Sequence, residues 1–483
     1  MKREFIINIV FLISINLLIK PCYIFLIDLG VQNEVGAEQY GLYFVLLNFS
    51  YLFQIINDFG IQNFNNRNIA QHRQLLDKYV PNILVLKALL ALLYLALVLT
   101  FAFLSGYAYD LFPLLLLISF NHILIALNFY IRSNLSGLGL YRLDSLLSAL
   151  DKLLMIFICG FLLFSPAFEG QFQIIWFVYA QTASLLLTIS IGFILVSRRL
   201  ERLQFRIRPA FLLFILKKSY PYALVIFLMT VYTRIDGVMI ERLLEDGRYQ
   251  AGVYASAYRL LDASNMIGFL FAGLLLPMFA RMIRLGESVY ELMVLSWQLI
   301  WAGAISLAII SFFFQEEITQ LLYVEATPYW GEVLGYLMFS FIAVSGTYIF
   351  GTLLTANDSL RKMNAIFIIS IVLNIVLNAY FIPIEKAAGA AKATVLTQFS
   401  ALIGQMYLVW KLFPFQLDGW LLGRFVFFVI LVSGLTHGIY DQLVLEWPIR
   451  LVLSSAGAVL AAFVCRLIDV RAIRRLLADR QTE

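Results

Sequence analysis

Long apolar runs, each closed by a short polar stretch, recur along the whole chain. Fourteen of them are long enough to cross about 30 Å of hydrocarbon as helices. They cover residues 5–29, 40–56, 79–104, 111–130, 143–164, 174–196 and 220–240, then 251–278, 290–314, 333–354, 365–381, 391–412, 421–435 and 451–468. The thirteenth is the shortest and carries Arg424 near its start. The first run follows Lys2 and Arg3 as a signal peptide would, but it reaches about Leu29 and holds Lys20 and Pro21 in place of a small-residue cleavage site. It therefore reads as a retained first span.

Composition agrees with this pattern. The chain has 483 residues, 62% hydrophobic and 13% charged, with a mean hydropathy of +0.86. Soluble domains are about half apolar and a quarter charged, so a water-exposed globular enzyme is excluded. The 11 prolines and 28 glycines are too few for a disordered or fibrous chain. The expected fold is an all-α polytopic membrane protein with about 14 transmembrane helices.

Charge assigns the sides. With the N-terminus inside, 25 of the 35 Lys and Arg fall in cytoplasmic segments, and only Arg242, Arg248, Lys386, Lys392 and Arg450 fall in outer loops. Cytoplasmic segments concentrate basic residues, so both termini are expected to be cytoplasmic. The net charge of +5 then separates into +13 on the cytoplasmic face, −10 on the outer face and +2 within the spans. It is a topology signal and gives no reason to expect nucleic acid. No loop exceeds roughly 25 residues, which leaves little room for extramembrane chemistry. The lone Gly137-x-Gly139 lacks the strand–turn–helix context of a nucleotide site and reads as a turn.

The outer ends of spans 2 and 8 repeat one another: Gln39-Tyr40-Gly41-Leu42-Tyr43 recurs as Gln250-Ala251-Gly252-Val253-Tyr254. Two spans separated by six have the same orientation, so the repeat predicts two pseudo-symmetric six-helix lobes related by an axis along the membrane normal, plus two C-terminal helices. The expected division is residues 1–209 for the N-lobe with its basic linker, 210–413 for the C-lobe, and 414–483 for spans 13 and 14 and a cytoplasmic tail. Residues 211–216 are expected to lie in the membrane interface ahead of span 7.

Eight ionisable residues are placed inside spans: Lys20, Lys87, Asp151, Lys152, Arg234, Asp236, Arg259 and Asp262. Each costs on the order of 3 kcal/mol at a helix centre, so it must pair or face a wet interior. Arg259 and Asp262 share a helix face at pairing distance. Asp151 and Lys152 point about 100° apart and are expected to need other partners. Arg234 and Arg259 fall at similar depth, and with Lys20 and Lys87 they would form a cationic chamber suited to phosphate or pyrophosphate, which arginine grips through a two-pronged fork. An ion pair is the alternative role for Arg234, and helix-locking for the Arg259–Asp262 pair. The three cysteines and three histidines are scattered, so no metal site and no cofactor are expected.

At these residues the chain resembles a known family. Gly36-Ala37-Glu38-Gln39-Tyr40-Gly41-Leu42-Tyr43, Asn57-Asp58-Phe59-Gly60-Ile61 with Arg67-Asn68-Ile69-Ala70, and Ser219-Tyr220-Pro221 through Arg234-Ile235-Asp236 are similar to motifs of bacterial polysaccharide flippases. So is Gly252-Val253-Tyr254 through Tyr258-Arg259-Leu260. These belong to the multidrug/oligosaccharidyl-lipid/polysaccharide transporter superfamily. The resemblance implies movement of polyprenyl-pyrophosphate-linked oligosaccharide repeat units, for O-antigen or exopolysaccharide, from the cytoplasmic to the periplasmic leaflet of the inner membrane by alternating access. It implies no enzymatic activity, a cationic cavity holding Arg234 and Arg259, with Lys20 and Lys87 as further substrate contacts, and polymerase and glycosyltransferase partners in a polysaccharide assembly pathway.

On this reading Asp236, Asp262 and Asp151 are candidates for ion coupling, and Pro221 for a kink in span 7. Three other readings stand beside it: a multidrug or cation antiporter of the same superfamily, a peptidoglycan-precursor flippase, and, from a different class, a membrane-embedded polymerase or acyltransferase. The antiporter would need an acidic site in the N-lobe, for which the sequence offers Asp151. Short outer loops argue against the polymerase.

Overall fold

A computed structural model describes residues 16, 18–62, 65, 69, 76–168, 170–200, 209–413 and 419–468. Residues 1–15, most of the basic linker (201–208) and the C-terminal tail (469–483) lie outside the described residues. Every long element described is a helix, as lipid requires: a helix satisfies its own backbone hydrogen bonds where no water can.

The all-α polytopic fold expected from the sequence is borne out, and the described helices follow the order of the predicted runs. Numbered as spans, α1 includes a π-helical stretch, Tyr23–Asp28, and ends at a reversal on Gly36; α2 follows from there to Leu52. Next come α3 (Leu76–Leu104), α4 (Phe112–Gly137), α5 (Tyr141–Phe164), α6 (Ile174–Ser197), α7 (Pro209–Leu243) and α8 (Gly247–Leu285). Then come α9 (Tyr290–Phe313), α10 (Pro328–Ala356), α11 and α12 (the two arms of Leu360–Leu412), α13 (Gly419–Gln442) and α14 (Trp447–Val464). Ten helices among the described residues are long and apolar enough to cross a membrane, the broken Leu360–Leu412 counting as one.

Two outer loops expected from the sequence are almost absent. Gly36 (φ 79°, ψ 164°) reverses the chain between α1 and α2 in a single residue, and Lys386 (φ 55°, ψ −128°) does the same between α11 and α12. A glycine reaches positive φ without steric cost, so the acidic motif after Gly36 is helical and not loop. Residues 211–216 form the first turns of α7, continuous with the span that follows.

The chain divides into two compact units, Met1–Gly252 and Val253–Glu483. In the first, Ile83, Leu86, Ile131, Leu135, Leu147 and Ile189 build an apolar core from α3 to α6. Polar side chains tie these helices together: Asn121 Nδ2 donates to Val178 O (3.1 Å), Thr182 Oγ1 to Asn121 Oδ1 (2.7 Å), and Gln181 Nε2 to the Tyr43 hydroxyl (2.9 Å). Each such bond in a membrane contributes about 0.6 kcal/mol. In the second unit α10 is central. Gly346 and Gly351 leave room for Leu402 and Gln405 of α12. Trp297, Trp301, Phe350 and Phe425 cluster with ring centroids 5.1–5.3 Å apart.

Candidate functional site

The repeated motif is a contact between its own copies. Within the first unit, a Cβ on Gly41 would stand 2.6 Å from Gly252 N and overlap the Arg248 carbonyl. One on Gly252 would stand 2.7 Å from the Ala37 carbonyl carbon. Gln32 Nε2 seals the junction by donating to Gly252 O (3.0 Å). Glycine is needed in both copies so that the helix ends can meet backbone to backbone. Next to it, Gly237 of α7 lies against Phe44 and Asn48 of α2.

One turn deeper in α7 stands Arg234. Its guanidinium lies over the Tyr51 ring, 5.2 Å from the centroid. Tyr51 meets the His122 ring edge-on at 5.3 Å. His122 is anchored in turn: its Nδ1 is 3.0 Å from Ser50 Oγ and 3.1 Å from the Tyr94 hydroxyl, and its carbonyl accepts from Gln54 Nε2 (3.1 Å). A cation over an aromatic face gains more when water is excluded, so this stack holds a guanidinium inside the membrane. Asp236, two residues on, is fully buried.

The other predicted cations have different surroundings. Lys87 is 6% exposed and donates to Asp58 Oδ1 (2.9 Å) and Asn57 O (3.1 Å). These acceptors end the short helix Ile55–Asp58, where Phe59 (φ 49°) and Gly60 (φ 76°) turn the chain through left-handed backbone. In this conformation the Lys87 ammonium fastens the exit of α2. Lys20 lies within electrostatic reach of Arg132, Asp151 and Lys152. Arg132 pairs with Asp144 (2.7 Å), and the Lys152 ammonium lies 4.6 Å from the Tyr23 ring centroid. The expectation that Asp151 and Lys152 need other partners is corrected: Lys152 Nζ is 3.5 Å from Asp151 Oδ2. A flexible four-carbon stem curls back across the angle that separates the two Cβ vectors.

The sequence reading missed one buried acid. Asp28, near the end of the run 5–29 and not among the eight ionisable residues placed inside spans, is 2% exposed at the end of the π-helical turn and accepts a hydrogen bond from the Tyr40 hydroxyl (2.8 Å). A carboxylate inside the first apolar run was the available signal; its partner became visible only with the reversal at Gly36.

Beyond the ends of the apolar runs 79–104 and 220–240, Tyr107 packs against the C-terminal end of α7. The Arg242 guanidinium sits 3.9 Å from its ring centroid, and Arg242 Nε is 3.0 Å from Glu241 Oε2. Burial pushes the Tyr107 phenol up to about 12, and burial raises the Glu241 carboxyl above the usual range while Arg242 and Arg248 pull it down.

In the second unit Arg259 pairs with Asp262 across one turn (Nη1–Oδ2 3.8 Å), as the spacing requires. The same stretch of α8 is held by Tyr254, whose hydroxyl is 3.1 Å from Thr394 Oγ1, and by Tyr323, which donates to Ser256 O (3.1 Å). Arg234 belongs to the first unit and Arg259 to the second. Among the described residues no three His, Cys, Asp or Glu side chains gather as metal ligands would.

The family described as "Polysaccharide biosynthesis protein" matches residues 6–283. No curated protein sequence matches the chain. Among solved structures, the lipid II flippase MurJ in an inward closed conformation has a similar fold, with a TM-score of 0.69 at 13% identity over 91% of this chain and 95% of that one. An inward-facing multidrug resistance MATE family transporter of the MOP superfamily gives 0.62 at 15% identity, covering 80% and 93%. The Vibrio cholerae MATE transporter VcmN, in a point-mutant form, gives 0.57 at 14% identity, covering 84% and 95%.

Proposed function

Because the chain belongs to the polysaccharide biosynthesis protein family, we propose that it flips polyprenyl-pyrophosphate-linked oligosaccharide repeat units across the bacterial inner membrane by alternating access. The observation that carries this is Arg234, a guanidinium held in the interior of a membrane helix on the Tyr51 ring. Such a group suits an anionic headgroup that must leave water. In this reading Arg234 and Arg259 hold the pyrophosphate, Lys20 adds positive charge, and the glycan occupies an aqueous cavity. Lys87 would contribute only by exchanging Asp58 for substrate. The polyprenyl tail stays in lipid while lobes of spans 1–6 and 7–12 rock. Asp236, Asp262 or Asp151 couples the cycle to an ion. Both termini are cytoplasmic, and a polymerase and glycosyltransferases act beside it.

The test is genetic and chemical. Deletion should strand lipid-linked repeat units in the cytoplasmic leaflet. Properly inserted Arg234→Ala and Arg259→Ala variants should fail to restore surface glycan. Normal glycan from both would remove the chamber assignment. Accumulation of unpolymerised units outside would indicate a polymerase instead.

A second reading is supported by Asp28. It supplies the buried N-lobe acid that a cation antiporter needs. Efflux of cationic dyes with no glycan phenotype, abolished by Asp28→Asn, would favour that reading.

A further inference from the structure

The second unit carries an apolar groove of about 240 Å³, and the helix ends that border it fall on the side to which the sequence assigns the basic residues, Arg281, Arg284, Lys411 and Arg424. Tyr290, Met293, Val294 and Trp297 line it with the i, i+3, i+4, i+7 spacing of one face of α9. Ile403, Met406, Tyr407 and Trp410 repeat that spacing on α12, and the first turns of α13 close the end. Tyr290 begins α9, and Trp297 stands seven residues in, or about 10 Å at 1.5 Å per residue. The groove therefore lies within one leaflet.

Its walls differ. Ile403, Tyr407 and Trp410 are 63%, 58% and 53% exposed and open toward the bilayer, whereas Met293, Trp297 and Phe350 are buried as its floor. The Trp297 Nε1–H is buried without a hydrogen-bond partner. At the helix ends beside the groove come Lys411, next to Trp410, and Arg424, whose guanidinium lies 5.5 Å from the Trp420 ring centroid.

We propose that this groove binds an anionic phospholipid of the basic-side leaflet. An acyl chain fills the apolar trough, which would otherwise lose its dispersion contacts. The phosphate lies between Lys411 and Arg424, in the aromatic and basic belt where headgroups sit. The site is independent of which substrate the protein moves.

The charge pair sets the expected selectivity. Each basic residue near an anionic surface contributes about fivefold, so two give about 25-fold. Native mass spectrometry of the purified full chain, titrated separately with phosphatidylglycerol and phosphatidylcholine, reads this ratio directly. The wild type should retain one phosphatidylglycerol about 25-fold more tightly. Lys411→Gln with Arg424→Gln should bring the ratio near one, and Met406→Trp, which fills the trough, should abolish retention of either lipid. In vesicles, phosphatidylglycerol brominated on its acyl chains should quench wild-type tryptophan fluorescence more than brominated phosphatidylcholine, a measurement that needs no variant. Equal retention of both lipids by the wild type, or a ratio unchanged in the double variant, overturns the proposal. So does one-for-one displacement of phosphatidylglycerol by a polyprenyl phosphate, which would assign the groove to an isoprenoid tail.

Discussion

The contact between Gly41 and Gly252 can be tested with a single methyl group. In Gly252→Ala the new Cβ would stand 2.7 Å from the Ala37 carbonyl carbon, about 0.7 Å inside the 3.4 Å at which ordinary contact begins. Backbone lies on both sides, so no rotamer relieves the clash and the helix ends must part. Overpacking of this kind costs about 1–3 kcal/mol. Displacing the Gln32→Gly252 O hydrogen bond adds about 1 kcal/mol. Alanine's better helix propensity returns at most about 1 kcal/mol. The expected net loss is about 2 kcal/mol. Gly303 supplies the control: it sits in α9, and nothing lies within 4 Å of the Cβ it would gain. Gly303→Ala should therefore be neutral or stabilising by up to about 1 kcal/mol. Thermal unfolding of both variants in one detergent, followed by fluorescence-detected size exclusion, compares them directly. Gly252→Ala should melt several degrees below wild type and Gly303→Ala at or above it. If Gly252→Ala melts with the control, the close approach of the two motif copies is wrong, and with it the physical reason given for both glycines.

Other consequences can be checked separately. Lys87→Met leaves the Asp58 carboxylate without its cation and should destabilise by about 3 kcal/mol; adding Asp58→Asn should recover much of that in a double-mutant cycle. Tyr51→Leu removes the ring beneath Arg234 and should reduce glycan display, while Tyr51→Phe keeps the π face and should preserve it. Glu241 has a carboxyl raised by burial, so its native state favours the protonated form: that contribution to stability is full below the ordinary carboxylate range and is lost as pH rises through the raised value. Glu241→Gln should accordingly raise the melting temperature at neutral pH and give no gain in acid.

Much of the fold was legible in one dimension because lipid imposes a simple rule. Each span must be a helix about twenty residues long, and basic residues collect on one side. The fourteen runs and the Arg259–Asp262 pair follow from local spacing alone, and so does the interest of Gly41 and Gly252. The ends of the runs were less legible, because a reversal at one residue leaves no loop in the composition; Gly36 and Lys386 each replace a stretch that looked like one.

The sequence by itself determined the number and order of the helices, their charge bias, and which side chains had to be reconciled with a hydrocarbon interior. The tertiary structure alone decided their partners. Lys87 meets Asp58 from 29 residues away, Asp28 meets Tyr40 only after the chain doubles back, and Arg234 rests on a ring from α2 whose neighbour His122 comes from α4. The physical reason is that the cost of burying a charge can be read residue by residue, whereas the group that offsets it is set by which helix faces meet.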